Sequence, residues 1–97
     1  MKMANQYNVT EADHIFLLKY IRGYVKTYGY PPTIREMMAS LELASTCPTR
    51  RRLEMLEDRG WIQRTRKIPR GIRITNKGFS AIAEHDKKVV VSMEKQQ

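Results

Sequence analysis

The run Gly29-Tyr30-Pro31-Pro32-Thr33 restricts the fold of this chain more than any other feature. Adjacent prolines remove two backbone donors, clash with a preceding helical turn and drive the residue before them out of the α region, so no helix passes through this point. The chain must instead build separate short helices and pack them together. At 97 residues it is one small domain with a modest core, which excludes a multi-domain enzyme and places function on a surface rather than in a deep cleft.

On the near side of the break, Thr10 can cap a helix, with Asp13 three residues on able to reach back to it. Ile15, Leu18, Ile21 and Val25 recur at helical spacing, with Leu17 and Tyr24 broadening the stripe, so the first helix is predicted from Thr10 to about Tyr28. Beyond the prolines Thr33 and Glu36 repeat the capping spacing. They open a short second helix whose apolar face is Ile34, Met38 and Leu41. After Leu43-Ala44, Ser45 or Thr46 can cap a third helix; Pro48 is tolerated in its first turn and Gly60 ends it. Thr49, Leu53 and Leu56 fall on one side, turning Cys47, Pro48, Arg50, Arg51 and Glu54 outward or toward the flanks. Trp61 to Thr65, the turn Arg66-Lys67-Ile68-Pro69-Arg70-Gly71 and the alternating Ile72-Arg73-Ile74 predict a β-hairpin with a charged tip. Thr75 then caps a short fourth helix with Phe79, Ile82 and Ala83 on its apolar face, giving way near Lys87-Lys88 to a polar tail. The expected fold is mainly α with a small β-hairpin: a winged helix-turn-helix of three helices plus a wing, followed by a short C-terminal helix.

Charge is unevenly distributed along this pattern. The chain carries 18 Lys plus Arg against 10 Asp plus Glu, for a formal net charge of +8. Residues 1–44 and 80–97 are nearly balanced, whereas residues 45–79 hold ten bases against only Glu54, Glu57 and Asp58. Charge confined in this way reads as the electrostatic footprint of a polyanion; the alternative is a solvated face. The major groove of B-DNA admits one α-helix, and the third helix offers open amides, a positive dipole end and arginines at its start. Arg50 or Arg51 is the candidate for guanine readout, with Ser45, Thr46 and Cys47 close enough for phosphate or base edges and Arg52 for the backbone. An ordinary solvated run paired with Glu54 and Glu57 is the competing reading of these arginines. In the wing, Arg64, Arg66, Lys67, Arg70 and Arg73 would meet phosphate or an adjacent minor groove.

Other chemistries find little support. Ile15 to Leu18 and Val89 to Val91 are the longest apolar runs, far short of the roughly 18 residues of a membrane span, and no signal segment opens the chain. A soluble, cytoplasmic, nucleoid-associated protein is expected. Cys47 is the only cysteine, which excludes an internal disulfide and a multi-cysteine zinc site; His14 and His85 have no partner at ligand spacing, so neither metal nor cofactor is expected. Cys47 is either a redox-sensitive thiol or a small polar contact, and the second reading is simpler. The serines lack a matched base, which argues against an enzyme. Tyr20, Tyr24, Tyr28 and Tyr30 read as packing on and after the first helix rather than as a base-stacking platform for RNA.

The run Gly29-Tyr30-Pro31-Pro32-Thr33-Ile34-Arg35-Glu36, then Leu43-Ala44-Ser45, then Leu53-Glu54-Met55-Leu56-Glu57-Asp58-Arg59-Gly60-Trp61-Ile62 and Pro69-Arg70-Gly71-Ile72, resembles the N-terminal DNA-binding domain of the LexA repressor family. The resemblance covers residues 10–75, with residues 1–9 as an N-terminal arm and residues 76–97 as a C-terminal helix and tail. It implies a winged helix-turn-helix that binds operator DNA of a bacterium or phage, with Ser45, Cys47, Pro48, Arg50 and Arg51 at the base-reading positions of the recognition helix. Thr33, Thr46, Arg52, Arg64, Arg66, Lys67, Arg70 and Arg73 are the candidates for backbone contacts. Family members continue into a second, self-cleaving domain, whereas this sequence stops after a short helix, so self-cleavage is expected to be absent. The expected function is sequence-specific binding of double-stranded DNA, as repressor or activator, on a two-fold operator, with helix four and Val89 to Val91 as the homodimer surface. The rival reading from a different class is a protein-interaction adaptor or anti-repressor acting on another regulator or on replication or transcription machinery; non-specific nucleic-acid binding is a third.

Overall fold

A computed structural model describes residues 9–95, with side chains described to residue 87. The elements follow in the order α1 (Glu11–Tyr28), α2 (Ile34–Ser40), α3 (Thr46–Asp58), β1 (Ile62–Arg64), β2 (Ile72–Ile74) and α4 (Asn76–Lys95). Both expected capping boxes form. The Thr10 hydroxyl accepts from the Asp13 amide at 3.2 Å while the Asp13 carboxylate accepts from the Thr10 amide at 3.0 Å. Thr33 and Glu36 repeat the exchange at 3.2 and 2.8 Å. Helix α1 ends where Gly29 takes a positive φ of 85° and donates its amide to the Val25 carbonyl, the left-handed cap that a residue without Cβ adopts at least expense.

The core is a single cluster. Ile15, Leu17, Leu18 and Ile21 of α1 meet Met37 of α2, Leu53 and Leu56 of α3, Trp61 and Ile62 at the root of the hairpin, and Ile82 of α4. Strands β1 and β2 pair antiparallel with Ile62 opposite Ile74, Gln63 opposite Arg73 and Arg64 opposite Ile72. The Thr75 hydroxyl donates to the Gly60 carbonyl at 2.6 Å and accepts from the Gly78 amide at 3.1 Å, tying the end of the hairpin to the start of α4. Among the described residues no helix is long and apolar enough to cross a membrane.

Four details depart from the sequence pattern. Met37 rather than Met38 is the α2 residue in the core, because α1 and α3 close on that side of the stripe; Met38 is only half-buried. Val25 is exposed, since the last turns of α1 overhang the core. Gly78 presses against the Trp61 carbonyl and the Ile74 side chain, which sets the rotation of α4 so that Ile82 faces inward while Phe79 and Ala83 face out. Helix α4 is also not short: with no glycine or proline after Gly78 to stop it, it continues to Lys95, and Lys19 of α1 braces it through Asp86 at 2.5 Å. The Val89 to Val91 side chains proposed as a dimer surface lie outside the described ones.

His14 is buried edge-on to Trp61, with ring centroids 6.5 Å apart, and its Nδ1 has no hydrogen-bond partner. Burial, reinforced by the Arg59 charge, holds the imidazole below its usual 6.5. The unfolded chain therefore takes up a proton near that pH which the folded chain refuses. The contribution is intact above pH 6.5 and is lost progressively as the pH falls below it. A His14→Leu variant is expected to show a flatter dependence of stability on pH between about 5 and 6.5, read by urea denaturation across that range. Gly78→Ala is expected to destabilise by about 1–3 kcal/mol in the same assay, although helix propensity alone favours alanine, because the added Cβ falls 2.8 Å from the Ile74 methyl.

Candidate nucleic-acid interface

Helix α3 is held by one stripe and open on the rest. Thr49, Leu53 and Leu56 are buried, and the Thr49 hydroxyl donates back to the Ser45 carbonyl at 3.4 Å, so the opposite face is left to Cys47, Arg50, Arg51 and Glu54, all exposed. Its N-terminus differs from those of α1 and α2. Ser45 occupies the cap position in an extended conformation but makes no side-chain cap hydrogen bond, and the first turn contains no acid. The positive end of the helix dipole and its first amides therefore remain available to an external anion. Ser45 is exposed there, with Thr46 and Pro48 half-buried beside it.

The hairpin closes a second wall. Arg50 of α3, Ile34 of α2 and the wing residues Arg64 to Pro69, Gly71 and Ile72 line a cleft of about 250 Å³. Only one of its four cations has an acidic partner among the described residues: Arg66 donates to Glu57 at 2.9 Å. Arg64 projects from the inward face of β1, and its Nη1 is buried without any hydrogen bond. Burial and then the neighbouring Arg66 push its pKa down, against the weaker pull of the Glu57 and Glu54 charges, neither of which hydrogen-bonds to it. Lys67 stands exposed at the tip.

The remaining candidates lie elsewhere. Arg52 is half-buried on the flank of α3, contributes to the field that depresses His14, and has a buried Nε without a partner. Thr33 commits its hydroxyl to the cap of α2. Arg73 sits on the outward face of the hairpin, hydrogen-bonded to Gln63, and borders a groove with Arg22 and Lys26 of α1 to which neither α2 nor α3 contributes. Arg70 folds back onto the helical body, donating to the Pro31 carbonyl at 2.8 Å and to both Glu36 oxygens at 3.0 and 3.2 Å. Its hydrogen bonds hold the Glu36 carboxyl down to about 2. The structure thus brings Arg50, Arg64, Arg66 and Lys67 around one cleft, leaves Ser45, Cys47 and Arg51 exposed on the first turns of α3, and ties Arg70 to Glu36 and Arg73 to Gln63 instead.

Two residues of this region have a setting that the sequence pattern does not assign them. Ile68 is an exposed apolar side chain at the tip of the wing; its only signal was its position between charged residues. Ile34 was read as core, yet it also lines the cleft beneath Arg50. Among the described residues no group of three or more His, Cys, Asp or Glu is arranged to hold a metal ion. What the arrangement offers is a row of unneutralised cations along an open helix start, suited to an extended anion with readable edges.

Comparison with known proteins agrees with this geometry. The sequence model of the LexA DNA binding domain matches residues 9–71. The LexA repressor of Enterococcus faecalis is 40% identical over 73 residues, covering 75% of this chain and 35% of the relative. That of Lactiplantibacillus plantarum is 36% identical over 73 residues with the same coverage, and that of a Geobacillus species is 39% identical over 75 residues, covering 77% and 36%. The chain spans about a third of the length of the curated relatives it matches. An Arg64→Met variant is expected to raise the stability of the free protein by about 1 kcal/mol, because it removes a buried donor with no partner, while lowering its affinity for polyanions. Urea denaturation and duplex or heparin binding read the two effects.

Proposed function

The chain belongs to the LexA DNA-binding domain family, and from that premise we propose that it is a sequence-specific transcriptional repressor that reads double-stranded DNA with α3 and grips the flanking backbone with its wing. The observation that carries this reading is the coincidence of an uncapped α3 start, outward Arg50 and Arg51, and a half-buried Arg64 with an unpartnered Nη1 across the cleft from Arg50. In the major groove a guanidinium pairs with O6 and N7 of guanine, the role assigned to Arg50 or Arg51, with Ser45, Cys47 and Pro48 against adjacent base edges. The free amides at the start of α3 and the Thr46 hydroxyl meet a phosphate. Arg64, Arg66 and Lys67 meet further phosphates or the neighbouring minor groove, and the phosphate charge supplies the counterion that Arg64 lacks.

A single module of this kind buries roughly 600–1,000 Å² on DNA. Tight binding is therefore expected from two copies on a two-fold operator, and α4 is the element proposed to join them. Such a repressor would work on the nucleoid in the cytoplasm.

Selection of binding sites from random duplexes is expected to return one preferred sequence with two-fold symmetry. Titrating that duplex at several salt concentrations should give a log-log slope near −4 for about four or five phosphate contacts. Arg50→Ala or Arg51→Ala is expected to relax the preference at one base position and cost roughly 1–3 kcal/mol there, whereas Lys67→Ala weakens all duplexes alike and shallows the slope by about 1. Equal affinity for selected and random duplexes would overturn the sequence-specific reading.

A further inference from the structure

Arg70 lies in the wing but makes its contacts with the helical body. Its guanidinium is bonded to the Glu36 carboxylate through two parallel hydrogen bonds, donates also to the Pro31 carbonyl, and lies over the Tyr30 ring at 4.5 Å and the Tyr24 ring at 5.9 Å. Glu36 in turn does two jobs with one carboxylate: Oε1 accepts from the Thr33 amide at 2.8 Å, closing the cap of α2, and both oxygens hold Arg70, which is 34 residues further along the chain. The position of the wing tip is thereby referred to the first helix of the helix-turn-helix.

Little else holds the tip in place. Each strand has three residues, and the turn beyond them is closed by its own hydrogen bonds: Thr65 amide to Gly71 carbonyl at 2.7 Å, Ile68 amide to Thr65 carbonyl at 3.2 Å and Gly71 amide to Ile68 carbonyl at 3.0 Å. Those bonds shape the turn without orienting it. Among the described residues, Arg66 with Glu57 is the other ion pair from the wing to the helical body, a single hydrogen bond from an arginine side chain that is 59% exposed. Such a bond orients weakly.

The geometry points to Glu36 and Arg70 as positioning residues for DNA binding: their two-pronged ion pair, backed by Tyr30 and the Pro31 carbonyl, is the strut that sets the angle at which Arg64, Arg66 and Lys67 meet the backbone. Arg70 itself stays off the nucleic acid. A phosphate that drew it away would leave the Glu36 carboxylate, charged throughout the neutral range, facing the polyanion. This inference rests on the DNA-binding reading above, but the strut has a consequence that needs no DNA.

Two conservative substitutions separate the roles. Glu36→Gln keeps a side-chain acceptor at the capping position and removes the charge, and Arg70→Lys keeps a cation but loses the planar fork. If the pair is a strut, Glu36→Gln, Arg70→Lys and Arg70→Ala each weaken binding to the selected duplex by about fivefold, and the Glu36→Gln/Arg70→Ala double variant binds no worse than Arg70→Ala alone. In the absence of DNA, hydrogen exchange at the Ile68 and Gly71 amides accelerates in all three single variants while far-UV circular dichroism is unchanged. An Arg70→Lys variant that binds like wild type together with a Glu36→Gln variant that binds more tightly would overturn the proposal by making Arg70 a phosphate contact. Additive losses in the double variant, or wing exchange unaltered by either substitution, would also overturn it. Should the wild-type chain bind no duplex while wing exchange still responds, the DNA-binding reading fails and the strut stands.

Discussion

The burial of Thr49, Leu53 and Leu56 beneath α3 fixes everything that this helix shows to the outside. A helix with one buried stripe has one rotational setting. Here that setting carries Arg50 and Arg51 to the face opposite the core and places Arg50 across a cleft from the wing. The proline break before α2 is what makes the setting possible. A continuous helix through residues 29–33 could not return α2 and α3 across α1, and the two threonine caps on either side of the break give each short helix a defined start.

The three helix starts divide structural from functional demands. Helices α1 and α2 satisfy their first amides internally, through paired Thr and acidic side chains, whereas α3 has neither a side-chain cap nor an acid in its first turn. The same asymmetry appears among the arginines. Arg66 and Arg70 are matched to carboxylates, while Arg64 is left partly buried with an unsatisfied donor. A fold selected for stability alone would neutralise that site; the deficit is consistent with an anion arriving from outside.

Much of this was legible in the sequence because it depends on local chemistry. Capping boxes are written in residues three apart, the α3 stripe in spacings of four and three, and the hairpin register in the alternation of Ile72, Arg73 and Ile74. What could not be read depends on tertiary direction. A capping-box Glu36 has acceptor capacity to spare, and nothing local says that Arg70, among several wing cations, will bond both of its oxygens. Arg73 could be assigned to the outer face of its strand, but only the packing of α1 against β2 shows that this face looks toward Arg22 and Lys26 rather than toward α3. Periodicity likewise could not choose between Met37 and Met38, which flank the same stripe, nor foresee that Gly78 would set the rotation of α4 by lying against Trp61.

That last contact has a geometric consequence. Because α4 leaves the hairpin root at a junction where no side chain fits between Gly78 and the Trp61 backbone, its axis is locked to the same scaffold that orients α3. The helix is twenty residues long, a rod of roughly 30 Å at 1.5 Å per residue. Anything fastened to its far end is a load on a lever whose pivot does not turn, so the separation of two recognition helices in a symmetric pair joined there would be gauged at the glycine as much as at the joint.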